Sequence, residues 1–189
     1  MATGKLIIFS APSGSGKTTI VKELLKIFPQ FEFSISATSR SPRGQEQDGI
    51  DYFFLSQEEF RAKVEADKFV EWEEVYNGTC YGTLKSEMER IWSKGNVIIF
   101  DVDVMGGINL KRIFGENACS IFIMPPSIEV LRERLIGRGT DSAETIEKRV
   151  AKAAFEISKA DEFDNIVIND ILADAVAQTK VIIEEFLAK

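Results

Sequence analysis

The feature that most constrains this chain is Gly14-Ser15-Gly16-Lys17-Thr18, set between an apolar run at 6–9 and an amphipathic stretch at 18–28. The run, ended by Ser10-Ala-Pro-Ser, reads as a buried strand followed by a turn. The stretch places Ile20, Val21, Leu24, Leu25 and Phe28 on one helical face, and Pro29 stops it. Strand, glycine turn, Lys-Thr and helix, in that order, are the context a phosphate-binding loop requires. Glycines let backbone N–H groups approach phosphate oxygens, and the helix N-terminus adds partial positive charge. Lys17 supplies a point charge to the β- and γ-phosphates, and Thr18 a hydroxyl for Mg²⁺. The pattern G-x-x-x-x-G-K-[ST] asks for glycine at position 11, where this chain has Ala11. A methyl fits there if its φ is negative.

Around this loop the pattern is α/β. Strands are expected at 97–102, 120–124 and 165–168, alternating with helices at 104–114, 128–136, 143–160 and 171–187. That alternation argues for a mainly parallel sheet covered on both faces. The stretch between the first and second main strands differs. It offers short strands at 33–38, 51–55 and 69–75, a loop at 40–50, and a turn at Asn77-Gly78. A Ser56–Glu59 capping box opens a helix to 67, and another helix is expected at 83–94. This stretch reads as an inserted α+β subdomain with Trp72 in its core.

Composition excludes several function classes. With 189 residues the chain is one domain with room for an insert. Thirty acids against 23 bases give a net charge of −7, a poor surface for a nucleic-acid polymer. There is no His, which rules out histidine bases, triads and metal ligands. Cys80 and Cys119 lack metal-type spacing and are expected reduced, as in a cytoplasmic protein. No apolar run approaches the ~20 residues of a membrane span, and the chain starts without a signal peptide's apolar core.

Ala11-Pro-Ser-Gly-Ser-Gly-Lys-Thr18 is followed by Ser36-Ala-Thr-Ser-Arg40-Ser-Pro-Arg43, Asp51-Tyr52-Phe53-Phe54 and Glu71-Trp72. Tyr81-Gly82-Thr83, Asp101-Val-Asp103 and Arg134…Arg138-Gly139 complete the series. In this order the motifs resemble those of the guanylate kinases, over essentially the whole chain. The resemblance implies a P-loop nucleoside monophosphate kinase fold. Its parts would be a core at about 1–32, 96–126 and 159–189, a GMP-binding insert at about 33–95 and a helical lid at about 127–158. It implies transfer of the ATP γ-phosphoryl group to GMP with Mg²⁺, giving ADP and GDP. ATP then falls to Ser13, Gly14, Ser15, Gly16, Lys17, Thr18, Thr19 and Asn169, with Asn169 at the adenine. The metal falls to Thr18 and, through water, to Asp101. The GMP phosphate falls to Arg40, Arg43, Tyr52 and Tyr81, and guanine to Glu71 with Ser36, Thr83 and Asp103. Glu46 joins the GMP site, and Lys17, Arg134, Arg138 and Arg149 serve the transferring group.

The residue chemistry agrees with these assignments. Arginine forks suit bidentate phosphate contacts. A carboxylate accepts from both N1–H and the 2-amino group of guanine, whereas adenine N1 is itself an acceptor. Asp101 and Asp103 end an apolar strand, the place where ligands gather in open α/β sheets. Arginines over the transferring group stabilise its spread charge and exclude water. The family usually reads Pro-Arg, any residue, Gly, Glu near position 45, where this chain has Gln45. Two other readings compete. One is a peptide-binding module, as in guanylate-kinase-like scaffold domains, which typically lose the loop residues intact here. The other is a kinase for a different monophosphate, against which Glu71, Ser36 and Asp103 argue.

Overall fold

A computed structural model describes residues 4–76, 78–137, 139 and 142–189; Asn77 of the expected turn and Arg138 of the expected lid lie outside the described residues. The elements are β1 (Leu6–Ser10), α1 (Lys17–Ile27), β2 (Phe31–Phe33), β3 (Ala37–Thr38), β4 (Phe53–Phe54), α2 (Gln57–Glu65), β5 (Phe69–Tyr76) and β6 (Thr79–Leu84). They continue with α3 (Lys85–Trp92), β7 (Val97–Asp101), α4 (Val104–Phe114), β8 (Ala118–Met124), α5 (Ile128–Gly137), α6 (Ala143–Ile157), β9 (Asn165–Ile168) and α7 (Leu172–Leu187). Two compact units result: a smaller one, Glu32–Ile98, and a larger one made of Lys5–Phe31 and Ile99–Lys189.

Five strands form one sheet in the order β2-β7-β1-β8-β9, and the chain passes between the units within β2 and β7. β1 pairs in parallel with β8, and β8 with β9. Every residue of β1, and all of β8 but the last, is buried. Alternate side chains of a strand point to opposite faces, so both faces are covered, as the continuous apolar runs require. Helix α4 packs on β1 and β8, and α7 on β9 and α1. Val104, Ile108, Phe122 and Phe163 share one buried cluster. The glycine pair in α4 has a packing reason: a Cβ on Gly107 would come within 3.0 Å of the Phe163 ring. No helix among the described residues is long and apolar enough to cross a membrane.

The smaller unit builds a second sheet, β4-β3-β6-β5, with β3 parallel to β4 and antiparallel to β6. Ser56 caps α2 as expected. Its hydroxyl accepts from Glu59 N–H at 3.1 Å, and the Glu59 carboxylate accepts from Ser56 N–H at 2.7 Å. Such a cap contributes about 1 kcal/mol. The core is Ala37, Phe60, Phe69 and Leu84, with Phe60 stacked on Phe69 at 4.4 Å.

Here the structure corrects three expectations. Residues 33–38 are not one strand, because pairing lapses between Phe33 and Ala37. In the gap the Ile35 N–H donates to the carboxylate of Glu87 at 3.0 Å, itself buried and paired with Arg90 at 2.8 Å. Residues 79–84 are strand β6, so α3 begins at Lys85 rather than 83. Gly82 is there for β-sheet packing, since a Cβ would come 2.7 Å from the Glu71 carbonyl and 2.9 Å from Phe69. Trp72 is 48% exposed and not core, meeting Phe60 only edge-on at 6.3 Å.

Candidate active site

In the larger unit the glycine loop follows β1 and ends at the first residue of α1. Ser15 N–H donates to the Pro12 carbonyl at 3.1 Å, closing a turn. Gly14 and Gly16 have φ of 101° and 87°, values that strain any side chain. Gly14 is also pressed by Leu135, 3.2 Å from where a Cβ would sit. Ala11 is outside the positive-φ residues, so its methyl is accommodated. Helix α1 follows Gly16, which offers it no side-chain cap, so no side chain competes with a ligand for its N-terminus. A cleft of about 370 Å³ lies there, lined by Ser13, Gly14, Gly16, Lys17, Thr18, Thr19, Asp101 and Asp103.

Lys17 forms an ion pair with Asp101 and donates to the Val102 carbonyl at 3.2 Å. Arg149 reaches back from α6 to donate to the Ser13 hydroxyl at 2.7 Å. Arg134 donates to the backbone carbonyl of Asn169 at 3.0 Å. Asn169 is buried, and its side-chain amide donates to the Ser15 carbonyl at 2.7 Å. Asp103 caps α4 by accepting from Gly106 N–H at 2.8 Å and stays exposed. The exposed Thr18 hydroxyl and the Asp101 carboxylate share the cleft. Two hard oxygen donors suit Mg²⁺, which keeps most of its waters and takes few protein ligands.

Sequence reasoning missed Lys152 and Glu156, which also line this cleft. Their signal was available, since Arg149, Lys152 and Glu156 fall at i, i+3 and i+7 on one face of α6. Glu156 is buried, its carboxyl pushed up by that burial, and it pairs with Lys152 at 3.4 Å.

In the smaller unit, β5 and β6 place the other candidates. Phe69 pairs with Leu84 but Glu71 with Thr83, so a bulge falls between Phe69 and Glu71. The bulge turns Glu71 to the face opposite Phe69. There it accepts from the Thr83 hydroxyl at 2.7 Å, on the same face as Glu73 and Tyr81. Arg40 lies under the Tyr81 hydroxyl, donating to it from Nε at 3.0 Å. Its Nη1 and Nη2 donate to Glu46 at 2.6 and 2.8 Å, and Nη1 also to the Ser41 carbonyl at 2.9 Å. The guanidinium stands 5.0 Å from the Tyr52 ring and 5.6 Å from that of Phe54. Ser36 is partly exposed, and its carbonyl accepts from Phe53 N–H at 2.9 Å. Arg43 is exposed, and its backbone joins the cluster: its N–H donates to the Glu46 carboxylate at 2.8 Å and its carbonyl accepts from Glu46 N–H at 3.1 Å. A smaller cavity of about 170 Å³ lies on the other sheet face, against Phe60, Trp72 and Cys80, away from these groups.

Glu46 therefore holds Arg40 rather than standing free. Gly44, with φ of 58°, makes the bend two residues before Glu46. Hydrogen bonds from Arg40 and from Arg43 N–H pull the Glu46 carboxyl to about 2, from an ordinary 4.5. A carboxyl lowered on folding stabilises the fold above its unfolded value and loses that contribution as pH falls through the folded one. The clamp is thus complete at neutral pH and is lost between pH 4.5 and about 2. A side-chain carboxyl titration followed by NMR is expected to give Glu46 a midpoint near 2. A midpoint near 4.5 would show that Arg40 does not hold it in solution.

A central strand, a glycine loop with two left-handed glycines, an uncapped helix N-terminus and a lysine–aspartate pair at the loop define a P-loop protein of the nucleoside monophosphate kinase fold. The guanylate kinase family model matches residues 3–186. The guanylate kinase of Bacteroides thetaiotaomicron is 56% identical over 99% of this chain and 92% of its own length. That of Porphyromonas gingivalis is 55% identical over 98% and 99%. A crystal structure of guanylate kinase from Anaplasma phagocytophilum superposes with a TM-score of 0.73 at 29% identity, covering 98% of this chain and 87% of that one. The chain belongs to the guanylate kinase family.

Proposed function

We propose that this protein transfers the γ-phosphoryl group of ATP to GMP, giving ADP and GDP, with Mg²⁺ as cofactor. The observation that carries the guanine half is Glu71, turned by a bulge onto the Thr83 and Tyr81 face and fixed by the Thr83 hydroxyl. A carboxylate so held accepts from guanine N1–H and the 2-amino group together. Arg40, pre-oriented by Glu46 and Tyr81, offers its remaining Nη2 hydrogen to a phosphate oxygen, with Arg43, Tyr52 and Tyr81 beside it in this reading. Guanine selection also takes Ser36 and Asp103.

For ATP, the loop from Ser13 to Thr19 wraps the phosphates and Lys17 neutralises them. Thr18 directly, and Asp101 through water, hold Mg²⁺, which when bound offsets charge on the β- and γ-phosphates. Lys17 exchanges its Asp101 partner for phosphate oxygens. Residues 33–95 act as the GMP-binding insert and 127–158 as the lid, whose Arg134, Arg138 and Arg149 meet the charge spread over the moving group. The rest is core. No covalent intermediate is needed, and the catalysis is positioning plus electrostatics. The acidic net charge and two unpaired thiols support a cytoplasmic protein with small-molecule partners and neither a nucleic-acid nor a membrane partner.

The test is ADP production from Mg²⁺-ATP with GMP, AMP, UMP and dTMP in turn. Strong turnover with GMP alone is expected. Turnover with another monophosphate would overturn the role of Glu71, and a folded protein that binds GMP without turnover would overturn the kinase reading.

A further inference from the structure

We propose that Asn169 is a positioning residue for the phosphate loop, rather than only a neighbour of the nucleotide base. The proposal rests on the reading of that loop as the ATP phosphate site. Asn169 follows the last core strand, and its N–H donates to the Met124 carbonyl at 2.8 Å, continuing the β8–β9 pairing. Its backbone is therefore part of the sheet and does not move with the loop. From this fixed base the buried amide donates to the Ser15 carbonyl at 2.7 Å. The amide occupies the place a side chain at Gly16 would take, since a Cβ there would collide with its nitrogen. Gly16 is thus glycine for two reasons, its φ of 87° and the amide beside it.

The consequence is electrostatic. The C=O and N–H of a trans peptide point in opposite directions. Holding the Ser15 carbonyl against Asn169 sends the Gly16 N–H the other way. An unheld carbonyl, free to rotate into the loop, would set its negative end against phosphate oxygens. One hydrogen bond thus decides whether this peptide attracts or repels a phosphate. The same residue receives Arg134 on its own carbonyl, at 3.0 Å, so loop and arginine share a single anchor.

The experiment separates this role from a base contact by using a ligand with no base. Binding of inorganic tripolyphosphate and of ATP is measured by calorimetry on the full chain, for wild type, Asn169→Asp and Asn169→Ser. Aspartate places an oxygen against the Ser15 carbonyl, and serine is too short to reach it. Both variants are expected to bind tripolyphosphate about ten-fold more weakly, with ATP weakened by at least that factor, the scale of one buried hydrogen bond. The KM for ATP should rise while the KM for GMP holds. Tripolyphosphate affinity within two-fold of wild type in either folded variant would overturn the proposal, and if ATP alone weakened, the residue would be a base contact. A lowered melting temperature with unchanged tripolyphosphate affinity would also overturn it, as a merely structural role. Tripolyphosphate binding does not involve GMP, so this outcome is independent of whether GMP is the acceptor.

Discussion

Replacing Lys17 by Met is expected to lower kcat for GMP phosphorylation by about 10²–10³-fold, the usual loss when one fixed donor to a charge-developing oxygen is removed. Lys17 is suited to this loss because its position is determined from two sides, by Asp101 and by the Val102 carbonyl. In the proposed reaction its ammonium is a charge already placed in the cleft, which needs only to exchange Asp101 for phosphate oxygens. Lys17→Arg should recover little, because a planar fork does not replace a compact ammonium between a carboxylate and a carbonyl. Stability should change by much less than activity. The Asp101 side chain is 33% exposed, so water takes over much of what the lysine gave. Steady-state ADP production and thermal unfolding, on the same samples, check both halves. A kcat within ten-fold of wild type would remove Lys17 from the transfer step.

Glu71→Gln is expected to reduce kcat/KM for GMP by about two to four orders of magnitude. The figure follows from two hydrogen bonds to a charged acceptor at about 1.5–3 kcal/mol each. Glutamine keeps one acceptor but turns an NH₂ toward a guanine donor, so one contact becomes a clash of donors. The Thr83 hydroxyl can still donate to the amide oxygen, which makes the side chain's place, and hence the fold, tolerant of the change. The KM for ATP should hold. The GMP-to-AMP preference should narrow, because the carboxylate that opposes adenine N1 is gone. Comparing kcat/KM for the two monophosphates reads the effect directly. A loss below ten-fold for GMP would place guanine recognition on other residues.

In the larger unit the sequence predicted several elements closely. The strand at 165–168 and the helix at 104–114 occur as expected, because short apolar runs between clear stops have few alternatives. The smaller unit was less legible, and its misread elements depend on distant partners. Ile35 leaves its strand because Glu87, 52 residues on, takes its N–H. A bulge opposite Thr83 changes the face of Glu71, which simple alternation at 69–75 does not reveal. Gly82 looks like a flaw in a strand until Phe69 is placed against it. At the candidate site the residue types were legible and their pairings were not. Arg40 and Glu46 both stood out as site residues, yet only the folded loop shows the one holding the other. The helical spacing of Arg149, Lys152 and Glu156 is legible in the sequence, but only the folded chain shows that this face of α6 lines the cleft.

The amide of Asn169 and the carbonyl it holds are 154 residues apart. A chain made from its N-terminus therefore emits the glycine loop 154 residues before the loop's fastener. β9 has its place beside β8 only after residue 165 is made, and Lys5 reaches the carbonyls of Phe186 and Leu187 only when the last helix is finished. A fragment ending before β9 would carry the whole glycine signature and lack the amide that holds the Ser15 carbonyl. If the amide holds the loop as proposed, the phosphate site is complete only once the strand that carries Asn169 has taken its place beside β8.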